Sequence, residues 1–286
     1  MKNGKRILGV LLALFMVLAA AVPAFADMGP KPSVTVDFNG MEGRDYAVTL
    51  IFPAEECAGP WGHESWRDYK PGDGPQEYWK ALADYADADG WQFWGWWQVC
   101  TTSQQFIWDY WAPGRFKILI WQADTDSYLV SPVMERYAYA SYFDVTVDEA
   151  GQFAIRRSYD YTGELAGLVC RVLLTVLVEL GFVWLIGWRT RAELRVVLWV
   201  NVLTQLALNG ILNIVSYYQG VLFALWFVFF WLELAVFAAE ALLYRWKLPA
   251  VTRKGKKRHV WLVSLGANGA SVLLGWQLAE IFPSLI

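Results

Sequence analysis

Glu179, Glu233 and Glu240 stand in stretches otherwise apolar enough for a bilayer, and Arg171 is the one basic side chain inside those stretches. An ionised group at the centre of a membrane costs about 2.5–3.5 kcal/mol on insertion scales. Such an excess of carboxylate must carry protons, reach water or hold a cation. Amides and hydroxyls accompany it: Asn201, Gln205 and Asn209 in "VNVLTQLALNGILN", and Asn268 and Ser271 in "LGANGAS". An amide both donates and accepts, so it satisfies a carboxyl in either protonation state. Two readings stand side by side. In one, the polar set is packing glue, with interhelical hydrogen bonds of roughly 0.6 kcal/mol each, so that many are needed. In the other it is a proton or cation site built on Glu179, Glu233 and Glu240.

Four apolar segments must position these groups, at about residues 165–188, 196–217, 221–244 and 260–282. Each has the roughly 20 residues a helix needs to cross the hydrocarbon core. Asn201, Gln205 and Asn209 recur every four residues and share a helix face. Depth along the four helices sorts the groups into layers. Glu179, Gln205, Asn209, Glu233, Asn268 and Ser271 fall centrally. Asn201 and Glu240 fall one level to the inside, and Arg171 falls outward, within reach of Glu280 or Asn213. Gly266, Ala267, Gly269 and Ala270 are small enough for close helix approach. Trp184, Trp188, Tyr217, Tyr218, Tyr244, Trp246 and Trp261 fall near span ends, where amphipathic rings favour the interface.

Short-loop charge orients the bundle. Arg189, Arg191 and Arg195 lie between the first two segments, and seven Lys and Arg from Arg245 to Arg258 lie between the last two. "SYYQG" between the middle pair has none, so the two basic loops face the cytoplasm. Residues 1–26 independently read as a cleaved signal peptide, with a basic start, an apolar run and "AFA" before Asp27. Both arguments put residues 27–160 outside. That region holds 21 Asp and Glu against 10 Lys and Arg, a balance that repels phosphate and excludes nucleic acid as a partner.

The exported region reads as an antiparallel β-sandwich-like domain. "SVTVDF", "YAVTLIF", "FKILIWQ", "SYLVS", "YAYASYFDVTV" and "FAIRRSY" are its six expected strands. An insertion at about 53–113 carries one helix, "PQEYWKALADYAD", and a concentration of Trp. Trp91, Trp94, Trp96 and Trp97 form either a local core or a ring face for a glycan or peptide. Cys57 and Cys100 lie where thiols oxidise and are expected to pair, and Cys170 reads as a packing residue. Glu55, Glu56, His63 and Glu64 cluster in sequence. His63 and His259 fall on opposite sides of the membrane, which leaves no multi-histidine metal site. No nucleophile elbow, phosphate loop or dinucleotide fingerprint is present, so no catalytic residue, cofactor or metal is assigned.

The order of parts resembles a class of uncharacterised bacterial membrane proteins. In these a signal peptide precedes a "DMGPKPSV"-like mature start, a β-rich exported domain and four spans, the second patterned like "NVLTQLALN". The resemblance implies a multi-pass protein of the bacterial cytoplasmic membrane and adds no catalytic residues. Three functions remain open: ligand binding or sensing by the exported domain with other membrane proteins as partners, a small ion- or proton-coupled transporter component, and, least supported, an intramembrane enzyme.

Overall fold

A computed structural model describes residues 31–57, 68–70, 72, 74–248 and 260–281, with side chains up to residue 273 in the last helix. The expected signal peptide, His63, Glu64, the basic stretch 249–259 with His259, and the side chain of Glu280 lie outside the described residues. The chain is α+β, with two β-sheets in its N-terminal half and apolar helices in its C-terminal half. It forms two compact units. One comprises residues up to Thr35 together with Glu42–Glu135, and the other comprises Val36–Met41 together with Arg136 onward.

The first unit is built on a sheet of order β3 (Gln92–Val99), β2 (Tyr46–Phe52), β5 (Arg115–Gln122), β6 (Ser127–Val130), with β7 (Met134–Glu135) also on β5. Its central strands are β2 (Tyr46–Phe52) and β5 (Arg115–Gln122), antiparallel from Tyr46↔Gln122 to Ile51↔Lys117. Both are near-continuous apolar runs, as strands covered on both faces require, and every β2 residue is buried. Helix α1 (Gln76–Asp84) covers one face: its Tyr78 and Leu82 join Ala47, Ile51, Phe93, Trp97, Leu119 and Trp121. On the other face Phe52 stacks on Trp94 at 5.4 Å and meets Trp108 edge-on at 5.5 Å. Lys117 is buried, yet its ammonium bonds to Asp87 at 2.9 Å and Asp89 at 2.5 Å and lies 5.0 Å from the Trp91 ring centre. Burial lowers that amine, and hydrogen bonds to Asp89 and Asp87 outweigh it, leaving it above its ordinary value.

The expected insertion is largely part of this sheet. "QFWGWWQV" is β3 (Gln92–Val99), paired antiparallel with β2, and β4 (Gln105–Trp108) follows. Alternation fails there because the ladder steps from Thr49↔Trp97 to Ile51↔Phe93, two residues of β2 against four of β3. Gly95, at φ 97°, supplies the left-handed conformation this bulge needs. The remaining strands of this unit are β6 (Ser127–Val130) and β7 (Met134–Glu135).

In the second unit β1 (Ser33–Asn39, divided between the units), β8 (Ala140–Val147) and β9 (Phe153–Arg157) are successive neighbours. Val36, Phe38, Phe143, Val145 and Val147 alternate inward, and outward Asp144 pairs with Arg156 at 2.6 Å. Four helices follow: α2 (Tyr161–Leu185), α3 (Arg191–Gln219), α4 (Val221–Lys247) and α5 (Val260–Ile281). The first three are long and apolar enough to cross a membrane, and α5 is a fourth apolar helix. Capping sets the starts. The Asp160 carboxylate accepts from the Gly163 amide, and Thr190 forms a capping box with Glu193. Arg191 and Arg195, expected in a loop, therefore belong to α3. A π-helical turn, Ala224–Phe229, interrupts α4. At the α3–α4 junction Gly220 has φ 91°, and a Cβ there would lie 2.7 Å from the Tyr139 ring. The Tyr139 amide donates to the Tyr217 carbonyl at 2.8 Å, and Tyr159 meets Tyr217 edge-on at 5.2 Å.

The expected Cys57–Cys100 disulfide is absent. Cys100 is buried at the end of β3, and its thiol is turned away to the Gln105 carbonyl at 3.2 Å. Desolvation pushes that thiol up to about 12, which suppresses the nucleophilic thiolate. Cys170, expected to pack, is exposed on α2. Peptide mapping of the native chain at pH 8 is expected to recover Cys100 as an unmodified thiol that maleimide labels only after unfolding. A disulfide-linked peptide joining it to Cys57 would contradict this arrangement.

Candidate functional site in the helix bundle

Polar side chains from all four helices join in a hydrogen-bonded chain through Glu179, Ser271, Asn268, Glu240, Thr204 and Asn201. Glu240 of α4 is wholly buried. Its Oε1 accepts from the Thr204 hydroxyl of α3 at 2.8 Å, and its Oε2 accepts from the Asn268 amide of α5 at 2.5 Å and the Ser264 hydroxyl at 3.4 Å. Ser271, one turn beyond Asn268, lies 2.9 Å from the Asn268 carbonyl and 3.4 Å from Oε1 of Glu179 on α2. Glu179 is also wholly buried. At the other end Thr204 lies 3.2 Å from the Asn201 carbonyl, and the Asn201 amide donates to the Tyr244 hydroxyl at 3.1 Å.

Helical spacing brings the groups together. Asn201 and Gln205 are four apart on the buried face of α3, as are Ser264 and Asn268 on α5. Glu240 and Tyr244 are four apart on α4 and both fully enclosed. Close contact between α2 and α5 occurs at Gly266, where a Cβ would lie 2.6 Å from the tip of the Phe182 ring. Tyr244, expected at the interface, is instead buried against Trp188, Val183, Val197 and Val200.

This network is short of hydrogens. Thr204 has one hydroxyl proton for the Val200 carbonyl, the Asn201 carbonyl and Glu240. Ser264 has one for the Phe237 carbonyl and Glu240, and Ser271 one for the Asn268 carbonyl and Glu179. Three buried acceptors have no donor among the described residues: Glu179 Oε2, Asn201 Oδ1 and Asn268 Oδ1. A water would supply hydrogens but not charge, and two enclosed carboxylates require charge as well. Among the described residues no three His, Cys, Asp or Glu come together as metal ligands. The arrangement suits a proton or a small hard cation bound by oxygen.

Arg171 bonds Asn213 Oδ1 at 3.1 Å, as its depth implied, and also Asn209 Oδ1 of the central layer at 3.2 Å, and it stands apart from this chain. Asn209 returns its amide to the Gln205 carbonyl at 2.9 Å, so Gln205 and Asn209 serve the arginine end. The layers mix in two further places. Glu240 meets central Asn268, because both lie on the inward faces of α4 and α5, and Asn201 meets Tyr244 in place of Glu240. Glu233 is half-buried and has no hydrogen-bond partner among the described residues. Sequence reasoning did not assign Thr204 or Ser264 to the polar set, and it placed Tyr244 at the interface. The four-residue spacing of Ser264 to Asn268 and of Glu240 to Tyr244 was the available signal.

The tryptophans of β3 do not make a ring face. Trp94 and Trp97 are buried, Trp94 donating its indole N–H to the Phe52 carbonyl at 2.9 Å. Trp96 is half-buried and donates to the Ile107 carbonyl at 3.0 Å, and half-buried Trp91 lies beside Lys117. Glu56 clips Arg115 at 2.9 Å and the Gly114 amide at 3.0 Å, a structural role.

Two substitutions on α5 separate contact from space. Gly266→Leu is expected to undock α5 from α2 and lower the thermal midpoint of the detergent-solubilised chain, whereas Gly269→Ala, with nothing within 4 Å of its Cβ position, is expected to leave it unchanged. Thr204→Val is expected to cost about 0.6 kcal/mol and at most about 1.7 kcal/mol, read from the same unfolding curves.

No family model, curated protein or solved structure matches this chain.

Proposed function

We propose that the chain is a small ion- or proton-coupled component of a bacterial cytoplasmic membrane, with an exchangeable cation held between Glu179 and Glu240. In this reading α2 to α5 span the bilayer, the basic stretches 189–195 and 245–258 face the cytoplasm, and residues 27–160 are an exported antiparallel β-sandwich-like domain. The observation that carries it is the cluster of donorless buried acceptors, Glu179 Oε2, Asn201 Oδ1 and Asn268 Oδ1, on a network with two enclosed carboxyls. A structure held only by glue gains nothing from surplus acceptors, since each unpaired buried one costs about 1–3 kcal/mol. Surplus acceptors are what a site that receives a positive charge needs. Of the three carboxyls expected to share the site, Glu179 and Glu240 take the central role and Glu233 does not.

A second reading, sensing of an exported glycan or peptide with transmission through the bundle to a partner membrane protein, is favoured by the bond between Tyr139, beside β8, and the last turn of α3. It is compatible with the first, since a ligand-driven shift at this end of α3 would move Asn201 and Thr204.

Proteoliposomes carrying the full chain and a pH-sensitive dye test the cation site. Wild type is expected to pass protons under an imposed potential, E240Q and E179Q to fall to the protein-free background, and E233Q to retain flux. A neutral carbodiimide should label Glu179 or Glu240 at low pH, less at high pH, with sodium tested as competitor. Flux that survives both E240Q and E179Q would sink the assignment.

A further inference from the structure

Between α2 and α3 lies an open groove of about 520 Å3, walled by Leu177, Leu180, Trp184 and Leu198 and ended by Arg191 and Arg195. The two arginines are four residues apart and so project from one face of the first turns of α3. Both are exposed, and among the described residues neither has an acidic partner. The nearest carboxylate in sequence, Glu193, is buried and engaged in the capping box with Thr190. Arg189 adds a third guanidinium, 4.9 Å from the Trp184 ring centre. The groove is thus apolar along its length and cationic at one end, with an indole at the boundary. A soluble peptide would leave its backbone unsatisfied on such walls. A molecule with hydrocarbon tails and an anionic head matches both parts.

We infer that this groove binds an anionic phospholipid, with acyl chains along Leu177, Leu180 and Leu198 and the headgroup phosphate between Arg191 and Arg195. Guanidinium groups suit phosphate because their N–H pairs match its oxygens two at a time. The Trp184 ring then lies at the level of the glycerol backbone, where amphipathic rings partition. The site uses no residue of the Glu179–Glu240 network. It rests on the membrane reading of the helices but not on cation exchange.

The full chain, purified in detergent, is mixed with equal amounts of dioleoylphosphatidylglycerol and dioleoylphosphatidylcholine, and retained lipid is counted by native mass spectrometry. Wild type is expected to prefer the anionic lipid by roughly thirtyfold, the contribution of two cations near such a headgroup. R191Q/R195Q is expected to lose that preference, and L198W, which fills the groove and keeps both arginines, to lose it too. K254Q/K256Q/K257Q, in the separate basic stretch, is expected to keep it. Equal retention of the two lipids by wild type overturns the inference, as does a preference that survives R191Q/R195Q or disappears in the triple lysine variant. Thermal midpoints in phosphatidylcholine alone identify any variant that fails to fold, and L198W then decides the matter.

Discussion

The bundle is governed by a shortage of hydrogens. In lipid, helices gain little by hiding apolar side chains from one another, because acyl tails are as apolar as leucine. Cohesion falls to close packing and to polar contacts between helices. This chain supplies both, with Gly266 against Phe182 and a run of polar contacts linking Glu179, Ser271, Asn268, Glu240, Thr204 and Asn201. The run is rich in acceptors and poor in donors. Each hydroxyl in it faces two or three oxygens and can serve one at a time. In the proposed reading, a cation held between Glu179 and Glu240 adds to the bonds that join α2 to α5.

The two units solve the problem of buried charge in opposite ways. In the first, buried Lys117 meets the buried carboxylate of Asp87 and solvent-exposed Asp89, and its ammonium contacts three of their oxygens. That cluster sets charge directly against charge. In the second, the partners of enclosed Glu179 and Glu240 among the described residues are neutral, while Arg171 on α2 bonds to Asn209 and Asn213. Had Arg171 stood two turns further along α2, the carboxyls would have a fixed counterion. In the proposed reading a mobile cation takes that place.

Much of this was legible in the sequence. Apolar length placed the four helices to within a few residues at most ends, and strands such as "YAVTLIF" and "FKILIWQ" announced themselves by β-branched runs. Four-residue spacing put Asn201 on the buried face of α3, and depth matching found Arg171 with Asn213. Other features were not legible, for physical reasons. Strand β3 was hidden because its bulge at Gly95 breaks the alternation by which strands are recognised, leaving "GWQFWGWWQ" without a period. Depth alone ranked Glu233 with the central group, yet rotation about α4 turns it partly away and brings Glu240 inward. Tyr244 sits at a span end by count, but Trp188 and the Asn201 amide draw it inside. The Cys57–Cys100 pairing was read from residue type alone, which does not carry the direction of the Cys100 thiol, set just after β3 against the Gln105 carbonyl.

The contact between Tyr139 and Tyr217 joins one main-chain amide to one main-chain carbonyl. No side chain mediates it, so drift in side-chain identity at either residue leaves the link standing, proline at 139 excepted. Related chains can then diverge beyond recognition in their outer surfaces while keeping the same mechanical hinge between strand and helix. Such a joint would escape an alanine scan altogether and would come to light only when an ester replaces the amide.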